Sequence, residues 1–407
     1  SAEEGESAAE LVRLVDVRIG NLVVFGVDLP AINTVLRRQG PAWALYLDNE
    51  QIQGDMLFPD AANEALDVQL SYLRIPADEE EVDVTDPEVE TLTGSIEIRS
   101  EEEVDVLADI NPADLPAMNF HTDEFSLGAG NMGAWDFQLR SNNNGALISN
   151  LTMRTAGASI TDLSGETGAT IDWQFNNGAH RSSFSGLFSA GNLAEVLPSF
   201  GYAAVVQSES ARFVSELDWS GSPAAFALKK VNGQVDLQMR NGRFIDIESG
   251  SARLFGAFNF DALVRRMQLD FSDLYERGLA YDTISGVLDF SQGTVNTQDN
   301  FLIRGPSSTI NVNGSLDLVN ETIAADVLVN LPLGQNVSMV AGILGAWPIA
   351  ITTYVASIIF RDQLQNFTTV LYRLEGPWDD PQAGFESDNE AVEEAMEEIG
   401  VLNADAG

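Results

Sequence analysis

Apolar and polar residues alternate at period two along most of the chain, as in β-strands that bury one face. Trp135, Phe137 and Leu139 alternate with polar neighbours. The same alternation recurs at Ile171/Trp173/Phe175, Val235/Leu237/Met239, Leu288/Phe290, Ile310/Val312, Leu316/Leu318 and Val327/Val329. The pattern predicts a mostly β protein built on an elongated antiparallel sheet.

Short segments rich in Asn and Gly separate these runs, at residues 142–145, 176–178, 241–242, 292–293 and 319–320. Asn-Gly between alternating runs predicts a hairpin turn, because both residues tolerate positive φ. Within this β-rich region, short helices are predicted near residues 192–200 and 252–267. Successive hairpins are expected to form the sheet.

Three segments interrupt this pattern. Residues 78–90 hold eight acids in thirteen positions. A solvated charge run is favoured there over a calcium site, because no D-x-[DN]-x-[DN]-G spacing occurs. Residues 337–360 carry no charge over 24 positions, with Trp347-Pro348 at the centre. A buried helical hairpin, a membrane-associating element and a transmembrane span all fit that length. The chain ends in an acidic tail.

These interruptions divide the chain into five predicted segments. They are a β-rich repeat (1–76), an acidic loop-rich boundary (77–116), a β-rich region of successive hairpins (117–336), an apolar helical segment (337–367) and a final strand with an acidic tail (368–407).

Composition narrows the function classes. The chain has 407 residues, a formal net charge of −41 and no cysteine. The charge excludes non-specific nucleic-acid binding, and the lack of cysteine excludes disulfides and thiol chemistry. Only Lys229 and Lys230 are lysines, a balance that suggests salt adaptation. The first ten residues lack a basic region and an apolar run, so we expect either a cytoplasmic protein or a fragment, and favour the fragment.

Catalytic chemistry is not predicted. His121 and His180 lie in different segments without metal-ligand spacing, and each is expected to be an ordinary strand residue. No nucleophile elbow or phosphate-binding loop occurs in a suitable context. Neither an enzyme activity, a metal nor a cofactor is therefore expected.

The predicted sheet has more apolar surface than so few helices can cover. Either a second sheet closes an ordinary sandwich core, or the sheet curls around a groove that holds an apolar ligand such as acyl chains. Periodicity leaves both open. The candidate lining residues are Trp135, Phe137, Ile171, Trp173, Phe175, Val235, Leu237, Met239, Leu288, Phe290, Val312, Leu316 and Leu318.

Residues 217–385 resemble the C-terminal region of YhdP-like proteins of the AsmA-like group. The resemblance rests on LDWSGSPAAFAL (217–228), NGQVDLQMRNGRFIDIESGSARLFGAFNFDAL (232–263), RRMQLDFSDLYERGLAYDTISGVL (265–288), GSLDLVN (314–320) and YRLEGPWDDP (372–381), in the family's order. Residues 114–140 look like the family's repeated unit. Residues 1–110 match the family weakly, and the acidic insert is a departure from it.

The resemblance implies a β-groove in the periplasm of a Gram-negative envelope, anchored in the inner membrane by an N-terminal helix that this chain lacks. Such a protein is expected to carry phospholipids between the inner and outer membranes without catalysis. In such a protein, residues 337–360 would form a tip near the outer membrane, with Ile343, Leu344, Trp347, Ile351, Tyr354 and Ile358 as its membrane-proximal residues. An envelope scaffold with a closed core is the alternative function.

Overall fold

The computed structural model describes residues 14–19, 22–24, 27–29, 32–61, 63–75, 105–128, 130–200, 202, 204–245, 280–306, 308–332, 367–377 and 381–385. The strands are β1 (Leu14–Ile19), β2 (Leu22–Val24), β3 (Val27–Leu29), β4 (Ile32–Gln39), β5 (Ala42–Asp48), β6 (Ile52–Pro59), β7 (Leu66–Ile75), β8 (Met118–Thr122), β9 (Phe125–Leu127), β10 (Gly130–Asn131), β11 (Ala134–Asn142), β12 (Gly145–Arg154), β13 (Ala158–Thr161), β14 (Ala169–Asn176), β15 (Ala179–Ala190), β16 (Val206–Gln207), β17 (Ser210–Ser220), β18 (Val231–Phe244), β19 (Ala280–Ser291), β20 (Thr294–Arg304), β21 (Thr309–Asp317), β22 (Thr322–Pro332), β23 (Phe367–Pro377) and β24 (Gln382–Phe385).

Helical structure is sparse in these ranges. It consists of α1 (Leu193–Val196) and the 3-10 turns Pro112–Asp114, Leu197–Phe200, Pro223–Ala225 and Leu228–Lys230. The predicted mostly β fold and the helix near 192–200 are confirmed. Asn192 caps α1, because its side-chain oxygen accepts from the N–H of Ala194. The helix predicted at 252–267 lies outside the described residues, as does the helical segment predicted at 337–367 except for Phe367, which begins β23.

Twenty-two of the 24 described strands belong to one mixed sheet, while β2 and β3 pair with each other. The chain divides into two compact units: unit 1 is Ser1–Ser189, Pro198–Gly201 and Val214–Ala227, and unit 2 is Ala190–Leu197, Tyr202–Phe213 and Leu228–Gly407. The five-segment division predicted above stays a prediction.

Unit 1 is ordered β1-β4-β5-β6-β7-β8-β11-β12-β14-β15 by its strand pairings. These pairs are antiparallel except that β7 runs parallel to β8, and β7 is also parallel to β9. In unit 2, the strands from β18 to β24 pair antiparallel in chain order, and β16 pairs with the far end of β18. Most neighbouring strands are therefore joined as the predicted hairpins.

Two of the predicted turns show why Asn-Gly pairs favour hairpins. Asn177 and Gly178 join β14 to β15 with φ of 54° and 81°. Gln292 and Gly293 join β19 to β20 with φ of 50° and 84°. Two consecutive positive φ angles match the right-handed twist of the flanking strands, so these turn predictions are confirmed.

The turn predicted at Asn241-Gly242 is wrong, because both residues lie inside β18. Asn241 has φ of 47°, yet the register with β19 continues on both sides of it. A Cβ on Gly242 would lie 2.0 Å from the carbonyl oxygen of Gln207 and 2.4 Å from the hydroxyl of Tyr281. Glycine is therefore needed here for close packing between strands rather than for a turn.

The core of unit 1 lies on one face of its sheet. Leu45, Leu47, Val68, Leu70 and Phe120 belong to one buried cluster. Direct cross-strand partners share a face, and the pairing of Val68 with Phe120 shows that this face continues across the parallel junction. Complete burial of such a side chain contributes about 1.5–3 kcal/mol, so this cluster is a main source of stability for unit 1.

Candidate functional site

The candidate residues of unit 1 lie on the same face as this core. Phe137 pairs with Phe120, which is in the buried cluster. Trp173 pairs with Ala146 and Ile171 with Ile148 on β12, so they share one face of that strand. The register between β12 and β14 shifts between Ile148 and Leu151, and beyond the shift the buried Leu151 pairs with the buried Ala169. The members of the candidate set on this face are Trp135, Phe137, Ile171, Trp173 and Phe175.

Aromatic contacts extend the core into the candidate positions. Phe120 and Phe137 stack with ring centroids 4.7 Å apart, and Phe125 meets Trp135 edge-on at 5.9 Å. Trp135 donates its indole N–H to the carbonyl oxygen of Met132 at 3.1 Å. Trp135 and Phe137 are half-buried, so each packs against protein while keeping an accessible surface.

Trp173 is held differently, by a segment at residues 105–115 that we call the strap. Trp173 is only 3% exposed, and its indole N–H donates to Nδ1 of His180 at 3.0 Å. Because an indole nitrogen only donates, Nδ1 accepts and the ring proton lies on Nε2. Nε2 then donates to the carbonyl oxygen of Ala108 at 2.9 Å. This relay fastens the strap to β14 and β15.

A second anchor of the strap is the carboxylate of Asp105. It accepts from the hydroxyl of Ser222 at 2.6 Å, from the N–H of Ser222 at 2.8 Å and from the N–H of Leu107 at 3.1 Å. Burial raises the pKa of Asp105, but these hydrogen bonds outweigh it and hold the pKa below its usual value. The strap is therefore fixed at two points, at Ala108 and at Asp105.

The candidate residues of unit 2 share a second face. Val235 pairs with Leu288, and Leu237 lies opposite Gly286. Across the next strands, Val312 pairs with Phe301 and Leu316 with Val295. The candidates on this face are Val235, Leu237, Met239, Leu288, Phe290, Val312 and Leu316, and Leu318 follows directly after β21.

Accessibility differs among the thirteen candidates. Trp173, Leu237 and Met239 are buried, at 3%, 6% and 7% exposure. The other ten are half-buried: Trp135, Phe137, Ile171, Phe175, Val235, Leu288, Phe290, Val312, Leu316 and Leu318. An apolar ligand would therefore meet a partly accessible surface with fully buried side chains between its contact points.

Sequence reasoning missed several residues of these faces. Phe301 lies across Gly286, where a Cβ would come within 2.9 Å of its ring, and it packs in the register of Val312. Phe184 pairs with Ile171, and Phe120 with Phe137. The alternation of Met118, Phe120 and Thr122 was a usable signal for Phe120. The position of Phe301 depends on a register shift in β20, which periodicity does not reveal.

The opposite face of unit 1 is polar and carries an ion network. His121 Nδ1 lies 2.7 Å from Asp136 Oδ1, and Nε2 lies 3.2 Å from Asp123 Oδ1. Arg154 Nη2 lies 2.7 Å from Asp136 Oδ2. Burial lowers the pKa of His121, but the two carboxylates outweigh it and raise the pKa above its usual value. Polar side chains thus mark this as the solvent side.

One part of unit 2 departs from this two-sided pattern. In β22, Val327, Leu328 and Val329 are all buried, and Leu328 is fully enclosed. Leu328 pairs with Leu371, which is 2% exposed, and with Asn311 at 6%. Both faces of the sheet are therefore covered around β22.

The described residues contain no group of three His, Asp or Glu side chains that could hold a metal ion. Within the same ranges, no helix has the length and apolarity needed to cross a bilayer. The six predicted tip residues, Ile343, Leu344, Trp347, Ile351, Tyr354 and Ile358, lie outside the described residues.

The strand pairing and the placement of apolar side chains define a class of mostly β protein, in which strands of a large sheet display an apolar face and helices are short. The chain belongs to the YhdP protein family, which it matches over residues 1–383. The resemblance inferred from sequence is therefore confirmed.

A similar protein is the intermembrane phospholipid transporter YhdP of Escherichia coli (strain K12), 24% identical over 212 residues. The match covers 52% of this chain and 17% of that protein. The matched region is thus a small part of the relative's length. No solved structure matches the chain.

Proposed function

We propose that the chain carries phospholipid acyl chains along its apolar faces, between the inner and outer membranes of a cell envelope and within the periplasm. The observation that carries this proposal is the half-buried state of ten candidate residues on shared apolar faces. The Escherichia coli relative is named as an intermembrane phospholipid transporter, which supports the same cargo.

The proposed mechanism is passive. Each methylene removed from water contributes about 0.8 kcal/mol without any directional contact, so a strip of apolar side chains can hold a tail and still let it slide. Charged headgroups would stay in water beside the face, because burying them is costly. No bond is made or broken in this process, which is why we propose a non-enzymatic role.

A scaffolding role is the second candidate, and one observation favours it. The cluster around Leu47, Leu70 and Phe120 is filled by its own side chains, as in a closed core. A chain in which the whole apolar face were filled in this way would have no room for cargo.

Mass spectrometry of lipids extracted after detergent-free purification tests the proposal. Near-stoichiometric phospholipid on the folded chain is expected. A folded chain without lipid, even after incubation with phospholipid vesicles, would contradict the proposal and favour the scaffold.

A further inference from the structure

The apolar face of unit 2 ends in a polar cluster at the far end of β18 and β19. Met239 pairs with Ile284 on the apolar face. Beyond Met239 along β18 lie Asn241, whose φ of 47° interrupts the regular alternation, and then Arg243. On β19, Asp282 lies on the side of Ile284, two residues before it. A row of apolar side chains is therefore continued by polar and charged ones.

Residues just before β17 complete this cluster. Gln207 pairs with Arg243, and Arg243 Nε donates to Gln207 Oε1 at 2.6 Å. Asn241 Nδ2 donates to Glu209 Oε2 at 2.6 Å. Gln207, Glu209, Asn241, Arg243 and Asp282 line an open cavity of about 510 Å³. We call these five residues the polar end.

Buried contacts fix the backbone around this cavity. The hydroxyl of Tyr281, which is 2% exposed, donates to the carbonyl oxygen of Gln207 at 2.7 Å. Ser208 donates to the carbonyl oxygen of Gly191 at 2.6 Å and accepts from the N–H of Leu193 at 3.2 Å. Because these tertiary contacts hold it, the polar end is a preformed site rather than a loose surface loop.

The charges of the polar end suit a ligand that carries both signs. Arg243 lines the cavity, and its hydrogen bond to Gln207 uses Nε, which is one of the five N–H donors of a guanidinium group. A guanidinium fork suits a phosphate oxygen pair. The carboxylates of Glu209 and Asp282 are both exposed and would attract a cationic amine. One cation beside two anions disfavours a ligand with net negative charge.

We propose that the polar end binds the headgroup of a zwitterionic, amine-bearing phospholipid, with its phosphodiester on Arg243 and its ammonium group on Asp282 and Glu209. The acyl chains then run along the face that begins at Met239 and Ile284. This inference rests on the proposed function and adds to it a headgroup preference and the place where a headgroup stops.

The test uses the full chain, equilibrated with vesicles of equal phosphatidylethanolamine and phosphatidylglycerol and then freed from them. Lipids that stay bound are counted by mass spectrometry. Arg243→Gln is compared with Arg240→Gln, a control on the same strand that lies on the face opposite Met239 and does not line the cavity. A double variant, Glu209→Gln with Asp282→Asn, removes the proposed amine partners.

The wild-type chain is expected to retain more phosphatidylethanolamine than phosphatidylglycerol. Arg243→Gln should lower phosphatidylethanolamine retention by about tenfold, the loss expected for a charge-assisted hydrogen bond, while Arg240→Gln retains the wild-type amount. The double variant should shift the bound lipid toward phosphatidylglycerol. Inorganic phosphate added during equilibration should displace nothing, because it lacks acyl chains.

Three results would overturn the headgroup site. They are equal retention by Arg243→Gln and Arg240→Gln, an unchanged lipid ratio in the double variant, and displacement of lipid by phosphate, which would indicate a site for free anions. In each of these cases the wild-type chain still binds lipid and the proposed function stands. A wild-type chain that binds neither lipid would contradict both.

Discussion

Leu288→Asp places a charge on the apolar face of unit 2 where the fold can tolerate it. Leu288 is half-buried and lies between Val235 on β18 and Thr297 on β20. Leu237, which pairs with Gly286, is only 6% exposed. A charge at that position would unfold the strands, so a loss of bound lipid could not be assigned to the lost ligand contact.

The expected magnitudes separate folding from binding. Complete burial of a leucine contributes about 1.5–3 kcal/mol, so loss of a half-buried one should lower the free energy of unfolding by about 1–1.5 kcal/mol. The new carboxylate keeps access to water. An acyl chain that loses contact with two or three methylenes at this position should bind about 2 kcal/mol more weakly, or roughly 30-fold.

The matched control is Val287→Asp on the same strand. Val287 is also half-buried but faces the other side of the sheet, opposite Asp236 and Gln298. Like-charge repulsion from Asp236 should make Val287→Asp lower the free energy of unfolding at least as much as Leu288→Asp does.

The assay counts phospholipid per chain by mass spectrometry and measures stability by urea unfolding. We expect the Leu288 variant to lose bound lipid while the Val287 variant keeps it, with both folded. Equal lipid on two folded variants would refute the assignment of this face to acyl chains.

Three further predictions concern stability. Met153→Ala, at a fully buried site of unit 1, should lower the free energy of unfolding by about 2–5 kcal/mol in urea titrations. Leu147 lies on the same strand and is 40% exposed, so Leu147→Ala should lower it far less. Similar losses of unfolding free energy in the two variants would mean that the buried and exposed faces of this strand are misassigned. Ser222→Ala removes the hydroxyl bound to Asp105 and should speed hydrogen exchange in the strap, with unchanged exchange counting against this anchor. The pKa of His121 is raised in the folded state, so its charged form stabilises the fold fully below its ordinary pKa of about 6.5, and this stabilisation is lost as the pH rises through the higher folded-state pKa. His121→Gln should therefore flatten the dependence of the thermal unfolding temperature on pH over this range. A decline of stability with pH of the same size in the variant would exclude His121 as the cause.

Alternation predicts which residues of one strand share a face, as Trp135 and Phe137 do, because the side-chain period of a strand is two. The pairing of Val235 with Leu288 depends on the register between two strands, which alternation does not supply. The mostly β fold and the turn at Asn177 followed from equally local signals.

Long-range features could not be read in this way. Asn241-Gly242 has the composition of a turn, but the packing of Tyr281 against Gly242 keeps it within a strand. The relay from Trp173 through His180 to Ala108 joins residues 72 positions apart at its second step. The polar end likewise draws Gln207 and Asp282 from distant strands, and nothing in either local sequence marks them as neighbours.

The parallel junction between β7 and β8 has a consequence for the order of folding. Leu66 and Met118 pair although they are 52 residues apart, whereas Asn176 and Ala179 pair across a two-residue turn. Closing the longer loop costs about 2.5 kcal/mol more chain entropy. The hairpins on either side can therefore form first, and the pairing of β7 with β8 is expected to form late in folding. For the same reason, it is where a partly denatured chain would come apart early.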